Sequence, residues 1–465
     1  MILEIKEHEI LSSEELGKLT DSESVSKFLH DAYSGWCKRK DKSLTNLQYL
    51  GVDGNFKAGY YIGASWIKPP IGDDEGLAIQ VLPKSLDKEA KPTDYIQMFA
   101  TALDVDSLDE AEYFSDYYHI DFESPEINVV AEANLITPLL LLHYLSVLTQ
   151  LTKKGLRKGY VQREENLQSK VRGCILFSQN LRKNVLNKRE DRVYCKFQEY
   201  TVDTPENRFL KKALMCAASQ LKDIPSLQGK IAEDVFLRIG TLETIFAAVS
   251  DDVSTSRTMK VSSSKLFSHY AEAIKIAEMI LRFFDYDMDH VGENGHSVRP
   301  FCIDMSRLYE MYVFHILNEA YPGKIKFQVK GRHGTRVDYI KVGEKERIVL
   351  DAKYKPRYAE GNRGIVDDVR EISGYSRDKN ILTKLGWEAS ASQGKYLPDC
   401  VIIYPVPQVE DADEQTVTVS SEKECKTWKD VTDYNRPLID FCDPIDAFHG
   451  FYKIAIPLPT KKQNQ

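Results

Sequence analysis

Apolar and charged residues alternate through Met1–Ile10 (MILEIKEHEI), and the alternation returns in AGYYIGASWI and GLAIQVLPKS on either side of the turn-rich PPIGDDEG. Successive side chains of a strand point to opposite faces, so this period of two predicts three half-buried strands. A helical pattern follows over Pro92–Leu103, and the acidic run Asp104–Asp121 predicts a solvated connection. Residues 1–130 therefore read as an N-terminal α+β module. From 131 to 300 apolar residues recur at three and four through Asn134–Lys153, Pro205–Leu221, Ile231–Ala248 and Ser264–Phe284, which predicts four long helices. Thr204 before Pro205 is a helix start: a side-chain oxygen to cap, then a ring that presets the first helical φ. Asn207 and Arg208, in that first turn, read as bracing for the helix. Apart from VRGCILF, a short strand candidate, the middle region 131–300 reads as mainly helical. Residues 301–465 predict a helix (Asp304–Ala320), strands (Lys324–Val329, Arg336–Val342, Arg347–Ala352), a helix (Ile365–Leu385), a strand (Asp399–Tyr404) and one more in GFYKIAIPL. The turn Gly343-Glu344-Lys345 makes the second and third strands a hairpin. The expected fold is thus a multidomain α+β and α/β chain of three domains, 1–130, 131–300 and 301–465, the last in α-β-β-β-α-β order.

Composition places this pattern among folded chains: 42% of the 465 residues are hydrophobic and 28% charged, which excludes the disordered and membrane classes. The N-terminus lacks the basic and apolar regions of a signal peptide. Leu135–Leu151, the most apolar stretch, is interrupted by Thr137, Pro138, His143, Ser146 and Gln150 and falls short of the ~20 residues a spanning helix needs. No membrane segment is expected. Eight cysteines lie scattered, none in a C-x-x-C pair, which fits a reducing, cytoplasmic setting. The net charge of -8 argues, as an average, against a nucleic-acid partner.

Resolved along the chain, that average breaks down. Between Tyr321 and Tyr358 there are eleven Lys and Arg against four Asp and Glu, the local excess a phosphate backbone requires. Arg332, Arg336, Lys355 and Arg357 are the candidate DNA contacts. The same segment holds the candidate chemistry. Asp351 and Lys353 project from one face of their strand, and the hairpin brings Asp338 beside Asp351. Two carboxylates forced together are relieved by a divalent cation, and Mg2+, held by one or two carboxylates plus waters and phosphate oxygens, is the natural occupant. Such a site can hydrolyse a phosphodiester. Asp338 followed by Asp351-x-Lys353 on the next strand resembles the PD-(D/E)xK nuclease signature, whose domains have a restriction-endonuclease-like fold. Glu310, in an otherwise apolar stretch of the preceding helix, is a candidate third carboxylate for the metal. Glu371 and Tyr375, four apart and so on one helix face, resemble the Q-x-x-x-Y element of RecB-type nucleases, with Glu in place of Gln.

With GYYIGASWI, LAIQVLPKS, GLRKGYVQREENLQSKVRGCILF, YCKFQEYTVDTPENRFLKKAL and IDMSRLYEMYV in order along residues 55–405, the chain resembles the McrC family, the nuclease subunits of McrBC-type modification-dependent restriction systems. It departs from that family at Ser306, where Asn is common, at Arg336-Val337-Asp338 rather than Arg-Pro-Asp, and at Glu371. The resemblance implies a Mg2+-dependent endonuclease that cuts double-stranded DNA carrying modified cytosine. Its implied partner is a hexameric McrB-like AAA+ GTPase, whose pore receives the N-terminal domain and whose hydrolysis is stimulated. No G-x-x-x-x-G-K-[ST] occurs in the chain, so nucleotide dependence would come from that partner. Gly35–Asp41 and Lys68–Glu75 are the candidate ring contacts. Two alternatives stand beside this reading: an activator of the ring with a vestigial nuclease, and a stand-alone RecB-like repair nuclease.

Overall fold

The N-terminal segment of this computed structural model runs β1 (Ile2–Lys6), α1 (Ser13–Gly17), α2 (Ser22–Lys38), β2 (Tyr61–Lys68), β3 (Leu77–Leu82), α3 (Tyr95–Ala102), β4 (Tyr118–Ile120) and β5 (Ile127–Asn128). The structure describes residues 1–17, 19, 21–38, 50–70, 76–84, 93–103, 117–128, 135–222, 224, 227, 229–251, 268–285, 297–343, 346–355, 365–387, 397–407 and 426–460. Most of the Asp104–Asp121 connection lies outside them, as do residues 39–41 of the first candidate ring contact and 71–75 of the second; Gly35–Lys38 of the first close helix α2 rather than forming a loop. The three strands expected from period-two alternation are β1, β2 and β3; β1 and β3 pair in parallel and β2 runs antiparallel to β3. Their apolar faces close a core of Leu3, Ile5, Leu29, Ile67, Ile79 and Val81, each buried side chain contributing about 1.5–3 kcal/mol.

The chain divides into two compact units, one of Met1–Val105, Tyr113–Leu139 and Asn294–Gln465, the other of Asp106–Glu112 and Leu140–Glu293. The second unit carries most of α4 (Ile136–Lys153), then β6 (Gly159–Gln168), β7 (Cys174–Ile175), α5 (Phe177–Lys183), β8 (Arg192–Thr201), α6 (Pro205–Lys222), α7 (Gly229–Ile245) and α8 (Ser268–Asp285). The four long helices match the predicted spans. The ten-residue antiparallel pair β6–β8 does not: a region read as mainly helical also holds a three-stranded sheet of order β6-β8-β7. Its core is small, Leu167, Cys195 and Phe197 with Ile175 and Val193 against it. GYVQREENLQ therefore shows no apolar alternation to read.

Thr204 does cap α6, its hydroxyl accepting the Asn207 amide at 3.3 Å. Asn207 is fully buried. Its Nδ2 donates to the carbonyls of Arg157 (2.9 Å) and Val202 (2.6 Å), and its Oδ1 accepts from the Tyr270 hydroxyl (3.0 Å). Arg208 pairs with Asp203 at 2.7 Å. Both residues brace the helix start, as their positions suggest. Asn207→Ala strands three buried partners at once and is expected to cost about 2–4 kcal/mol, read as a lower urea midpoint with an unchanged slope.

The chain then returns to the first unit with β9 (Ser297–Val298), β10 (Phe301–Asp304), α9 (Met305–Ala320), β11 (Ile325–Lys330), β12 (Arg336–Val342), β13 (Arg347–Ala352), α10 (Ile365–Tyr375), α11 (Lys379–Lys384), β14 (Asp399–Pro407), β15 (Asp443–Pro444) and β16 (Phe451–Leu458). β10 belongs to the N-terminal sheet, whose strand order is β1-β3-β2-β10-β4. Gly63 makes that pairing possible: a Cβ there would meet the Phe301 carbonyl oxygen at 2.1 Å. A second sheet has order β11-β12-β13-β14-β16-β15, antiparallel through β13 and parallel from β13 to β16. The fold is thus a mixed α/β chain of several sheets and helices. The helix expected over Ile365–Leu385 is broken in two, because the Asp378 carboxylate accepts the amides of Asn380 and Ile381 and starts α11 afresh.

Candidate active site

α9 begins where the Asp304 side chain accepts the amides of Ser306 and Arg307 (3.1 and 3.2 Å). It buries Leu308, Met311, Val313 and Leu317, among others, and so presents Glu310 toward the neighbouring strands. The β12–β13 register pairs Ile340 with Val349 and Tyr339 with Leu350; one step further it sets Asp338 opposite Asp351. The Asp338 carboxylate accepts the Ala352 amide at 2.9 Å, a bond that fastens the two strand ends together. Lys353 Nζ lies 2.8 Å from Asp351 Oδ2 and donates to Glu371 Oε2 at 2.9 Å. The Tyr375 hydroxyl donates to the other Glu371 oxygen at 2.8 Å, as residues one helical turn apart allow.

All six candidate catalytic residues, Glu310, Asp338, Asp351, Lys353, Glu371 and Tyr375, therefore meet at one end of the second sheet. One participant went unread in the sequence. Gln328 stands across β11–β12 from Asp338, between the pairs Phe327↔Tyr339 and Val329↔Val337. Its Nε2 donates to Glu310 Oε2 (2.8 Å) and Asp338 Oδ1 (3.4 Å), tying two carboxylates together. Its φ of 48° is a left-handed conformation that a non-glycine residue adopts only under local constraint. The Tyr339 hydroxyl donates to the Glu310 carbonyl at 2.5 Å and so fixes α9 against the sheet.

The electrostatics follow from this crowding. Burial, then the charges of Asp304 and Asp351, push the Glu310 carboxyl up to about 8. Burial, then Glu310 and Asp351, hold Asp338 well above the usual carboxylate range. Burial raises Asp351 also, against the pull of Lys353. Burial opposes the Lys353 charge, but Asp351 and Glu371 outweigh it and keep the ammonium above its ordinary range. Glu371 moves the other way: burial raises it, and its bonds to Lys353 and Tyr375 bring it below its ordinary value. Three acids that resist ionisation beside one another are a donor set short of positive charge. Among the described residues no group of three or more Asp, Glu, His or Cys side chains is placed to hold a metal ion, so protein ligands to a cation here would number two at most, Asp338 and Asp351. A hard divalent ion that takes one or two carboxylates and completes its shell with water and phosphate oxygens fits this donor set.

Of the candidate DNA contacts, Arg336 is exposed at the start of β12, two residues from Asp338, and Arg332 is exposed in the preceding turn. Lys355 is instead engaged by Asp368 at 2.8 Å. Arg357 lies outside the described residues.

A family model described as McrBC 5-methylcytosine restriction system component matches residues 57–369. Two solved structures from Thermococcus gammatolerans are similar at 16% identity. One, a half-complex from a tetradecameric assembly of McrB AAA+ hexamers with bound McrC, has a TM-score of 0.36 over 98% of this chain and 94% of that one. The other, the McrBC complex, has a TM-score of 0.30 over 69% and 88%. No curated protein matches.

Proposed function

The chain belongs to the family of McrBC 5-methylcytosine restriction system components, and from that premise we propose that it is the McrC-type subunit, a Mg2+-dependent endonuclease that cuts modified DNA alongside an AAA+ GTPase. The carrying observation is the convergence of Asp338, Asp351 and Lys353 on adjacent strand ends, with Lys353 held between Asp351 and Glu371. The C-terminal sheet with α9 and α10 supports the PD-(D/E)xK, restriction-endonuclease-like reading of 301–465. The Thermococcus assembly pairs McrC with McrB AAA+ hexamers, and a corresponding ring is the partner proposed here, since this chain carries no phosphate-binding loop of its own. A cytoplasmic location goes with this role. Among the described residues no helix is long and apolar enough to cross a membrane.

Asp338 and Asp351 would hold the cation, and Glu310, bonded by Gln328, would stand behind them for its waters. When bound, it polarises the scissile phosphate and eases deprotonation of the attacking water. Lys353 supplies a fixed positive charge where negative charge grows on the phosphate oxygens. Asp351 and Glu371, the latter bonded by Tyr375, hold that ammonium in place, so little reorganisation is needed as the reaction proceeds. Arg332 and Arg336 flank the same sheet end and suit the phosphates on either side of the scissile bond.

The test is reconstitution of the full chain with its AAA+ partner, GTP, Mg2+ and DNA carrying 5-methylcytosine. Double-strand cuts that stop on adding EDTA are expected. Stimulated GTP hydrolysis with no cutting would favour the activator reading, and cutting of unmodified DNA without a partner would favour the stand-alone nuclease.

A further inference from the structure

The chain leaves β13 under unusual restraint. Lys353 makes the last ladder bond, its amide donating to the Ile403 carbonyl at 2.8 Å, and the Lys355 amide then folds back onto the Lys353 carbonyl at 2.6 Å. This tight turn points the intervening Tyr354 carbonyl away from the ladder. Its partner comes from 270 positions earlier: Lys84, just past β3, donates from Nζ to that carbonyl at 3.0 Å. The same ammonium stands 3.5 Å over the Tyr354 ring. Lys84 is itself fixed. Its amide donates to the Glu7 carboxylate at 3.1 Å, and its carbonyl accepts from the Tyr95 hydroxyl at 3.0 Å. The Tyr354 ring in turn lies 5.5 Å from that of Tyr309, the neighbour of Glu310.

Burying an ammonium costs several kcal/mol before compensation, and Lys84 is only 8% exposed. An apolar side chain of similar length would pack against Tyr354 at no such cost, but it could not hold the carbonyl. We propose that Lys84 is a positioning residue for Lys353: it fixes the exit of β13 and, through it, the place of the Lys353 ammonium over Asp351. The N-terminal strands then form part of the catalytic apparatus rather than an independent module. This inference rests on the nuclease reading of the site.

Single-turnover cleavage of saturating DNA separates a positioning role from a merely structural one. A structural defect lowers the amplitude, which counts folded enzyme. A displaced Lys353 lowers the rate constant. With the full chain and its partner, Lys84→Met is expected to keep the wild-type amplitude and DNA affinity while the rate constant falls about tenfold or more. Lys84→Arg, which keeps donor and charge, should recover to within about threefold. If Lys84→Met does not fold, Tyr95→Phe, which frees the Lys84 carbonyl, should lower the rate constant by about two- to fivefold at full amplitude. If the wild type fails to cut, or Asp351→Asn cuts as fast as the wild type, the nuclease reading falls and this inference with it. If those controls hold and Lys84→Met (or Tyr95→Phe in its place) keeps the wild-type rate constant, or loses amplitude alone, the inference alone is overturned.

Discussion

Asp351→Asn is expected to slow DNA cutting by about a thousandfold or more while leaving DNA binding and the partner's GTP hydrolysis within about twofold of wild type. The substitution keeps the shape of the side chain and removes one charge. Asp351 is 3% exposed and answers two demands, as a donor for the proposed cation and as the anion over which Lys353 is held. Lys353→Met should come close behind, at about a hundred- to a thousandfold, the usual cost of deleting one preorganised group aimed at developing charge. Rates under single-turnover conditions with Mg2+ in excess decide the matter, and cutting by either variant at the wild-type rate would exclude the assigned chemistry. Glu371→Gln should be much milder, because Asp351 still anchors the Lys353 ammonium and a Gln oxygen can accept from it.

The strands carrying this chemistry were legible because each obeys one dominant rule. Arg336–Val342 and Arg347–Ala352 have the bounds expected of two β-rich runs joined by a Gly-containing turn, and the hairpin register then places Asp338 against Asp351. Gln328 was illegible for the opposite reason. Its contribution depends on a left-handed φ inside β11, and nothing in Ile325–Lys330 marks the position as irregular. β10 was hidden by length: its four residues are buried without alternation, and its last, Asp304, heads a strongly helical run. Their role as a strand of the N-terminal sheet depends on Gly63, more than two hundred positions away. The β6–β8 pair escaped notice because its faces are largely polar, so its order rests on ladder bonds and ion pairs such as Arg163–Glu199 at 2.6 Å. Lys355 shows the converse limit. Counting basic residues made it a DNA contact, whereas Asp368 on α10 already accepts from it.

Glu310→Gln is expected to abolish or severely reduce cutting and yet to stabilise the metal-free protein. The sign follows from the direction of the shift. A carboxyl whose folded pKa lies above its unfolded value binds more protons when folded, so stability falls as pH rises from the unfolded value of 4.5 through the folded value of about 8. The Gln amide removes that liability and can still accept from Gln328, the partner of the present carboxylate. In EDTA the gain over wild type should be small near pH 5 and reach about 2 kcal/mol above pH 8, a rise of about 3 °C in Tm for a unit of this size. Asp338→Asn should behave alike, since its oxygen can keep the Ala352 amide bond. Mg2+ should then raise the Tm of the wild type and leave both variants nearly unmoved, because an ion that binds only the folded chain stabilises it in proportion to its occupancy. Calorimetry at pH 5 and 8.5, with and without Mg2+, separates the proton effect from the cation effect. If Glu310→Gln or Asp338→Asn proves less stable than wild type at pH 8.5 in EDTA, these carboxylates are satisfied by the fold itself, and no cation is needed to relieve them.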